Sequence, residues 1–153
     1  MSNDSNAKPV AVVTGGARGI GLAIGKWFLA HGYRVALLDR DTAGLDRSVA
    51  EIGQPDDLLA VYCDVSMESQ VADAARQVAS RFGRVDALVN NAGIAIFKPV
   101  QQTTFAEWRE VMATNLDGVF LCSEAFSAQR SERQVLHSRI ALNRPAFPEN
   151  LRV

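Results

Sequence analysis

Cysteine and histidine are nearly missing from this chain: 153 residues hold two of each. Cys63 and Cys122 share no motif. A disulfide framework is therefore not expected, and both should be reduced, buried, small apolar residues of a cytosolic protein. His31 and His137 have no cluster of further ligands around them in the sequence, so no metal site is expected. Long apolar runs are missing too. None approaches the ~20 residues that a membrane-spanning helix needs. The N-terminus, Met1 to Lys8, is polar and lacks the apolar core of a secretory signal. An excess of one charge is also lacking: 16 Lys and Arg against 17 Asp and Glu leave a net charge of −1, which gives nothing to attract nucleic acid or an acidic membrane surface. These absences point to a cytoplasmic protein with no membrane or nucleic-acid partner. The composition that remains, 48% hydrophobic and 22% charged, suits one α/β domain with a sizeable core.

The richest stretch is Thr14-Gly15-Gly16-Ala17-Arg18-Gly19-Ile20-Gly21. It follows an apolar run, Val10 to Val13, and opens a helical pattern from Leu22 to His31. A strand, a glycine-rich turn and a helix in that order build a phosphate cradle. The glycines let the backbone turn tightly and come close to a pyrophosphate, and the helix N-terminus offers unpaired N–H groups and a positive dipole end. The spacing is G-x-x-x-G-x-G rather than G-x-G-x-x-G.

Strand and helix patterns alternate from there. Strands are predicted at 10–14, 34–39, 58–63 and 85–90. Helices are predicted at 19–31, at 42–51 with Thr42 as N-cap, and from near Ser66 to 82. This order calls for a parallel sheet with right-handed crossovers and helices on both faces, a Rossmann-like doubly wound fold over residues 9–128. Asp39 closes the second strand 18 residues after Gly21. A carboxylate there can accept hydrogen bonds from an adenosine ribose and repels a 2′-phosphate, by roughly 1–4 kcal/mol at ~4 Å. That favours NAD over NADP, although Arg18 and Arg40 argue the other way, and Asp39 taken alone could simply end a strand. Asp64 ends the third strand, where a carboxylate can accept from an adenine amino group. Asn90-Asn91-Ala92-Gly93 ends the fourth, where small residues leave space beside a cofactor. Their bland alternatives are a helix cap and an ordinary turn. Both lie on the carboxyl rim, where open α/β sheets bind ligands.

With these pieces in place, the chain resembles the short-chain dehydrogenase/reductase family. The matching motifs are the 14–21 turn, Asp64-Val65, Asn90 to Gly93, and Thr114-Asn115-Leu116-Asp117-Gly118-Val119-Phe120. The resemblance implies an NAD(P)-dependent oxidoreductase acting on an alcohol or ketone. It implies that Gly15, Gly19 and Gly21 hold the pyrophosphate, with Arg18 and Ile20 of the same turn also binding the cofactor. It further implies that Asp39 meets the ribose, that Asp64 and Val65 meet the adenine, and that Asn91, Ala92 and Gly93 flank the adenosine. Asn115 becomes the catalytic asparagine, which holds a water in the family's proton relay.

The segment 104–129 is amphipathic. Phe105, Trp108, Met112, Asn115, Val119, Ser123 and Phe126 recur every three or four residues. The stripe is expected to face the core, with a kink near Asn115 and Gly118. The resemblance adds that its second half commonly packs on a partner subunit, which would make a homo-oligomer through 104–129. After Ala128 the family pattern is not visible. The resemblance calls for a strand bearing a serine and then a Tyr-x-x-x-Lys helix. Tyr33 and Tyr62 are followed at +4 by Leu37 and Ser66, and the lysines are Lys8, Lys26 and Lys98, so no such pair can be written. Ser138, in Gln134-Val135-Leu136-His137-Ser138, falls roughly where the serine strand belongs. Residues 129–153 carry five arginines and no glycine or lysine. They read as a solvated basic tail, a partner-binding tail, or out-of-frame translation of a gene that once encoded the rest of an enzyme. A catalytically incomplete oxidoreductase, a non-catalytic NAD-binding module and a non-functional fragment all remain open. The fourth strand is expected to have an open outer edge unless 134–142 supplies a strand.

Overall fold

A computed structural model describes residues 8–53, 55–127 and 130–138. The expectation that no leader is present falls mainly on residues 1–7. Those residues, Ala128, Gln129 and the rest of the arginine-bearing tail, 139–153, lie outside the described residues. In chain order the elements are β1 (Val10–Thr14), α1 (Gly19–Ala30), β2 (Arg34–Asp39), α2 (Thr42–Ile52), β3 (Leu58–Tyr62), α3 (Glu68–Phe82) and β4 (Val85–Asn90). A short 3₁₀ turn (Val100–Gln102) follows, then α4 (Phe105–Met112), a π-helical turn (Ala113–Asp117), α5 (Gly118–Ser127) and β5 (Arg130–Ser138).

The sheet is parallel throughout, in the order β3-β2-β1-β4-β5. β1 and β2 are interior strands, which is why they read as near-continuous apolar runs rather than alternating ones. The pleat sends their side chains to two separate cores. Val10, Val12, Ala36 and Leu38 pack with Val71, Ala74, Val78 and Phe82 of α3 and with Cys122 and Phe126 of α5. Ala11, Val13, Val35 and Leu37 pack on the opposite face with Leu22, Ile24 and Phe28 of α1 and with Leu45 and Ile52 of α2. The doubly wound Rossmann-like architecture read from the alternating pattern is thus present, with α1 and α2 on one face and α3 and α5 on the other.

Three local expectations are corrected and one conditional expectation is resolved. Helix α2 is capped by Asp41, not Thr42: the Asp41 Oδ1 accepts from Gly44 N at 2.9 Å, placing Thr42 at the first helical position. Helix α3 begins at Glu68 rather than near Ser66. Asp64 turns the chain beforehand by accepting from Ser66 N at 3.0 Å and Ser66 Oγ at 2.7 Å, so it is not the helix cap. The amphipathic stripe holds only in its second half. Asn115 and Phe126 are buried and Val119 and Ser123 half-buried, but Phe105 is 75% exposed and Trp108 52%, and no residue of α4 is buried. α4 packs chiefly on the π-helical turn rather than on the sheet, so its apolar residues find no core. Finally, β5 pairs with β4 through Ala87↔Val135 to Asn90↔Ser138, with an irregularity between Val85 and Ala87. The outer edge of β4 is therefore covered. An unpaired parallel edge is a row of unsatisfied N–H and C=O groups, and the chain after α5 returns to satisfy it.

The two thiols sit as their surroundings predict. Cys63 and Cys122 are free and buried in the same core. Burial, helped by the neighbouring Asp64, pushes the Cys63 thiol up to about 11. Burial, helped by Cys63, pushes Cys122 up to about 12. A folded value raised above the ordinary 9.0 stabilises the fold below pH 9 and ceases to do so as pH rises through 11 to 12. At pH 8 the folded protein should therefore leave both thiols unreacted with a thiol reagent, both should react in denaturant, and stability should fall along the alkaline limb above pH 9. Prompt labelling of either thiol in the folded state would contradict this.

Candidate dinucleotide site

The site begins at the end of β1. The buried Thr14 hydroxyl oxygen accepts from the backbone N–H of Asn91 and of Ala92, each at 3.0 Å, and its own O–H points to Val89 O at 3.4 Å. In return the Asn91 side-chain amide donates to Thr14 O at 3.0 Å and Gly15 O at 3.1 Å. β1 and β4 are the strands between which the sheet order reverses, the place where open α/β sheets open a crevice. Here that crevice is stapled open by one hydroxyl and one amide.

The turn after β1 is fixed by contacts that only its sequence permits. A Cβ at Gly21 would lie 2.0 Å from Gly15 O, so α1 can approach the turn only with glycine there. Gly19 has φ +55°, in the left-handed region, and a Cβ there meets no protein atom within 4 Å. Asp39, at the end of β2, reaches across to lock the turn: its Oδ2 accepts from Ala17 N at 3.0 Å while Oδ1 accepts from Asp41 N at 3.0 Å. Helix α1 then starts without a side-chain cap from Arg18 and without an acidic residue in its first turn. By contrast, α2 is capped by Asp41, and α4 has a full capping box of Thr104 and Glu107. The open N-terminus of α1 is the end of this layout that suits an anion.

These elements surround one cavity of about 290 Å³. Gly15, Arg18, Gly19, Ile20 and Gly21 line it from the turn and α1. Asp39 lines it from β2, Asp64 and Val65 from the end of β3, and Asn91, Ala92 and Gly93 from the end of β4. All eleven residues expected to touch a cofactor thus border the same space. Asn91 borders it with its amide already engaged by β1. Four further residues line the cavity: Arg40, Cys63, Ile94 and Thr114. Arg40 was legible as a charge that could meet a 2′-phosphate and Thr114 only as the first residue of a family motif; Cys63 and Ile94 had no cofactor signal of their own. Thr14, the staple, carried a signal in hindsight, being a hydroxyl at a strand end immediately before the glycine turn.

Asn115 is not among the residues that line the cavity. It sits buried in the π-helical turn and grips one residue: its Oδ1 accepts from Ile94 N and its Nδ2 donates to Ile94 O, both at 2.8 Å. The amide thus imitates a strand partner and fixes the loop after β4, while its neighbour Thr114 and its partner Ile94 both face the cavity. The expected kink is a widened helical turn of the kind often found at functional sites. Gly118 lets this segment come close, since a Cβ there would lie 2.7 Å from Val65 Cγ2.

Charge at the mouth of the cavity is balanced. Burial pushes the Asp64 carboxyl up, but the Ser66 hydroxyl and amide and the nearby Arg40 outweigh it and hold the group below its ordinary value, so it is ionised at neutral pH. Arg40 lies 3.8 Å from Asp64. Among the described residues no group of three or more His, Cys, Asp or Glu is placed to hold a metal. No helix of the described residues is long and apolar enough to cross a membrane. The donor set fits a dinucleotide: close backbone approach at glycines, an uncapped helix N-terminus, a carboxylate at the end of β2 and a walled recess beyond it. The volume sits near the lower limit of roughly 300–1,000 Å³ for ligand sites, as suits a cleft that holds part of an extended molecule.

The family model described as short chain dehydrogenase matches residues 9–135. The chain is 37% identical over 124 residues to a D-threitol dehydrogenase of Mycolicibacterium smegmatis, covering 80% of this chain and 48% of that protein. It is 41% identical over 111 residues to an NADP-dependent (R)-specific alcohol dehydrogenase of Lentilactobacillus kefiri, covering 72% and 44%. Its fold superimposes with a TM-score of 0.76, at 35% identity, on a 3-ketoacyl-(acyl-carrier-protein) reductase of Brucella melitensis solved with NADH, covering 80% of this chain and 50% of that one. The chain spans about half the length of the curated relatives it matches.

The Thr14 staple makes a direct prediction. Thr14→Val keeps the shape but leaves the Asn91 and Ala92 N–H groups without their acceptor, at about 1–3 kcal/mol for each buried unsatisfied group. Denaturant unfolding should show a loss on that scale for Thr14→Val, and much less for Thr14→Ser, which keeps the hydroxyl. Equal losses for the two variants would show that the methyl group, not the hydroxyl, matters.

Proposed function

Because the chain belongs to the short-chain dehydrogenase family, we propose that it forms the dinucleotide-binding half of an NAD(P)-dependent oxidoreductase, with NAD preferred. The observation that carries this reading is the convergence of eleven cofactor-type residues on one cavity at the carboxyl ends of β1 to β4. Gly15, Gly19 and Gly21 receive the pyrophosphate at the open end of α1, with Arg18 and Ile20 beside them in the cofactor-binding turn. Asp39 accepts from the adenosine ribose with the lone pairs its two backbone bonds leave free. Asp64 and Val65 border the adenine, and Asn91, Ala92 and Gly93 flank the adenosine. Held by these residues, a nicotinamide cofactor would supply hydride-transfer chemistry to a small alcohol or ketone.

Asn115 is the catalytic asparagine of this reading. With each polar atom of its side chain already bonded to Ile94, it retains one amide hydrogen and spare lone pairs for a water in a proton relay. It cannot itself be the acid, because an amide does not titrate near neutral pH. The 153 residues contain no Tyr-x-x-x-Lys to deliver the proton. Positioned acid–base groups contribute ~10²–10⁴-fold, so these residues alone bind cofactor without turning it over. Ser138, opposite Asn90 at the carboxyl end of β5, occupies a suitable strand for the family's serine. A second reading, a non-catalytic module that joins copies of itself or an intact relative through 104–129, is favoured by one feature. Phe105, Trp108 and Phe120 present large apolar side chains to solvent on this segment. The protein acts in the cytoplasm on this account.

Two measurements test the proposal. Calorimetric titration of the 153-residue chain should show NAD binding more tightly than NADP, and Asp39→Ala should narrow or reverse the difference; equal affinities in the unmutated protein would remove the claimed preference. Absorbance assays with either cofactor and a panel of alcohols, sugars and ketones should show no turnover by the isolated chain. Robust turnover by protein of confirmed intact mass would mean that an acid–base group other than the family's pair is present.

A further inference from the structure

At the end of the cavity where the ribose of the proposed dinucleotide lies, Arg18, Asp39, Arg40 and Asp64 line the wall, and Asp41 and Arg47 join them through ion pairs from outside the lining. Both carboxylate oxygens of Asp39 are committed to backbone N–H groups, of Ala17 and of Asp41. Asp39 holds no arginine among the described ion pairs. The arginines are held by the other two acids. Arg40 Nη1 lies 3.8 Å from Asp64 Oδ2. Asp41 Oδ2 stands between two guanidinium groups, 4.0 Å from Arg18 Nη1 and 3.8 Å from Arg47 Nη2, while its other oxygen caps α2.

We propose that Asp41 is a specificity-determining residue: by holding Arg18 and Arg47 and cancelling their charge, it denies a 2′-phosphate the cations it would need, so that cofactor choice rests on Asp41 as well as on Asp39. This rests on the dinucleotide reading above. Arg18 borders the cavity beside Asp39 and is 84% exposed in its side chain, so it is free to swing toward an anion. Ion pairs this exposed are weak. Asp41 therefore does not lock the arginines mechanically. It acts as a fixed negative charge, pinned in place by its cap bond to Gly44 N, that lowers the local potential at Arg18 of the cavity wall. Without it this cluster of side chains changes from three acids and three arginines to an excess of one positive charge.

Asp41→Asn separates this role from the structural one, because asparagine caps a helix as well as aspartate does and differs only in charge. The full 153-residue chain and the variant should be titrated with NAD and NADP by calorimetry, with thermal melts in parallel. Removing one like charge from the neighbourhood of a phosphate at intermediate dielectric should tighten NADP binding by about five- to tenfold. NAD affinity should change by less than about twofold and the melting temperature should hold, since the cap remains. The gain should shrink in high salt and vanish when Arg18→Ala is added to Asp41→Asn. An unchanged NADP-to-NAD ratio with binding intact overturns the inference. So does an equal change for both cofactors, or a gain that survives Arg18→Ala and Arg47→Ala together. Failure of the unmutated protein to bind either dinucleotide overturns the dinucleotide reading itself and takes this inference with it.

Discussion

The Thr14 hydroxyl is the point on which the rest of the molecule depends. Inside a parallel sheet, two adjacent strands whose connections leave in opposite directions part at their carboxyl ends, and the backbone groups there lose their ladder partners. Thr14 takes the N–H of Asn91 and Ala92, and Asn91 takes the carbonyls of Thr14 and Gly15. The chain can therefore part at that point without leaving buried groups unpaired. This exchange sets the angle at which the glycine turn leaves β1 and so the position of the N-terminus of α1. Gly21 extends the same constraint, because its missing side chain is what allows α1 to lie against Gly15 O.

A second layer of the structure faces inward on this crevice. Asp39 ties the glycine turn to the end of β2, and Asn115 ties the loop after β4 to the π-helical turn. In both, a side chain replaces a strand partner at the carboxyl rim, where the sheet hydrogen bonds run out. The walls of the cavity are thus held by polar side chains. Its floor is held by the two apolar cores on either face of β1 and β2. That division suits a binding site, since apolar packing gives rigidity and directional hydrogen bonds fix where the lining atoms lie. The cost appears on the outer surface, where α4 carries Phe105 and Trp108 into solvent with no core to receive them.

Electrostatics at the rim follow from sequence neighbours that fold to different places. Asp39, Arg40 and Asp41 are consecutive, yet Asp39 turns to the glycine turn, Arg40 to Asp64 on the next strand, and Asp41 to the head of α2. Three adjacent charges are thus divided among three elements, each with its own partner. The uncapped end of α1 faces the same cavity, so its positive dipole end is the anion-favouring feature left unneutralised by an acidic side chain of its own helix.

The order of strands and helices, the glycine turn and the acids at the ends of the second and third strands were legible in the sequence. Each is a local signal: apolar runs for interior strands, Gly19 at positive φ, Asp and Asn where strands stop. The resemblance carried by four short motifs placed Asn115, which as a lone polar residue in a helix carries no signal. Four things had to wait for the fold. Thr14 became the staple because β4, more than seventy residues away in sequence, ends beside it. The cap of α2 fell to Asp41 over Thr42 because only a residue whose backbone is not yet helical can turn its side chain back onto the first turn, and Thr42 is already helical. The exposure of Phe105 and Trp108 was hidden because helical periodicity shows that one face is apolar, not whether a core lies opposite it. The pairing of Arg130–Ser138 with β4 was legible only as an alternative, over 134–142, because that segment lacks a strong strand pattern, and what selects it is the open parallel edge it meets. Local conformation and residue chemistry are thus written in the sequence, whereas which distant backbone groups a side chain must satisfy is decided only when the sheet has assembled.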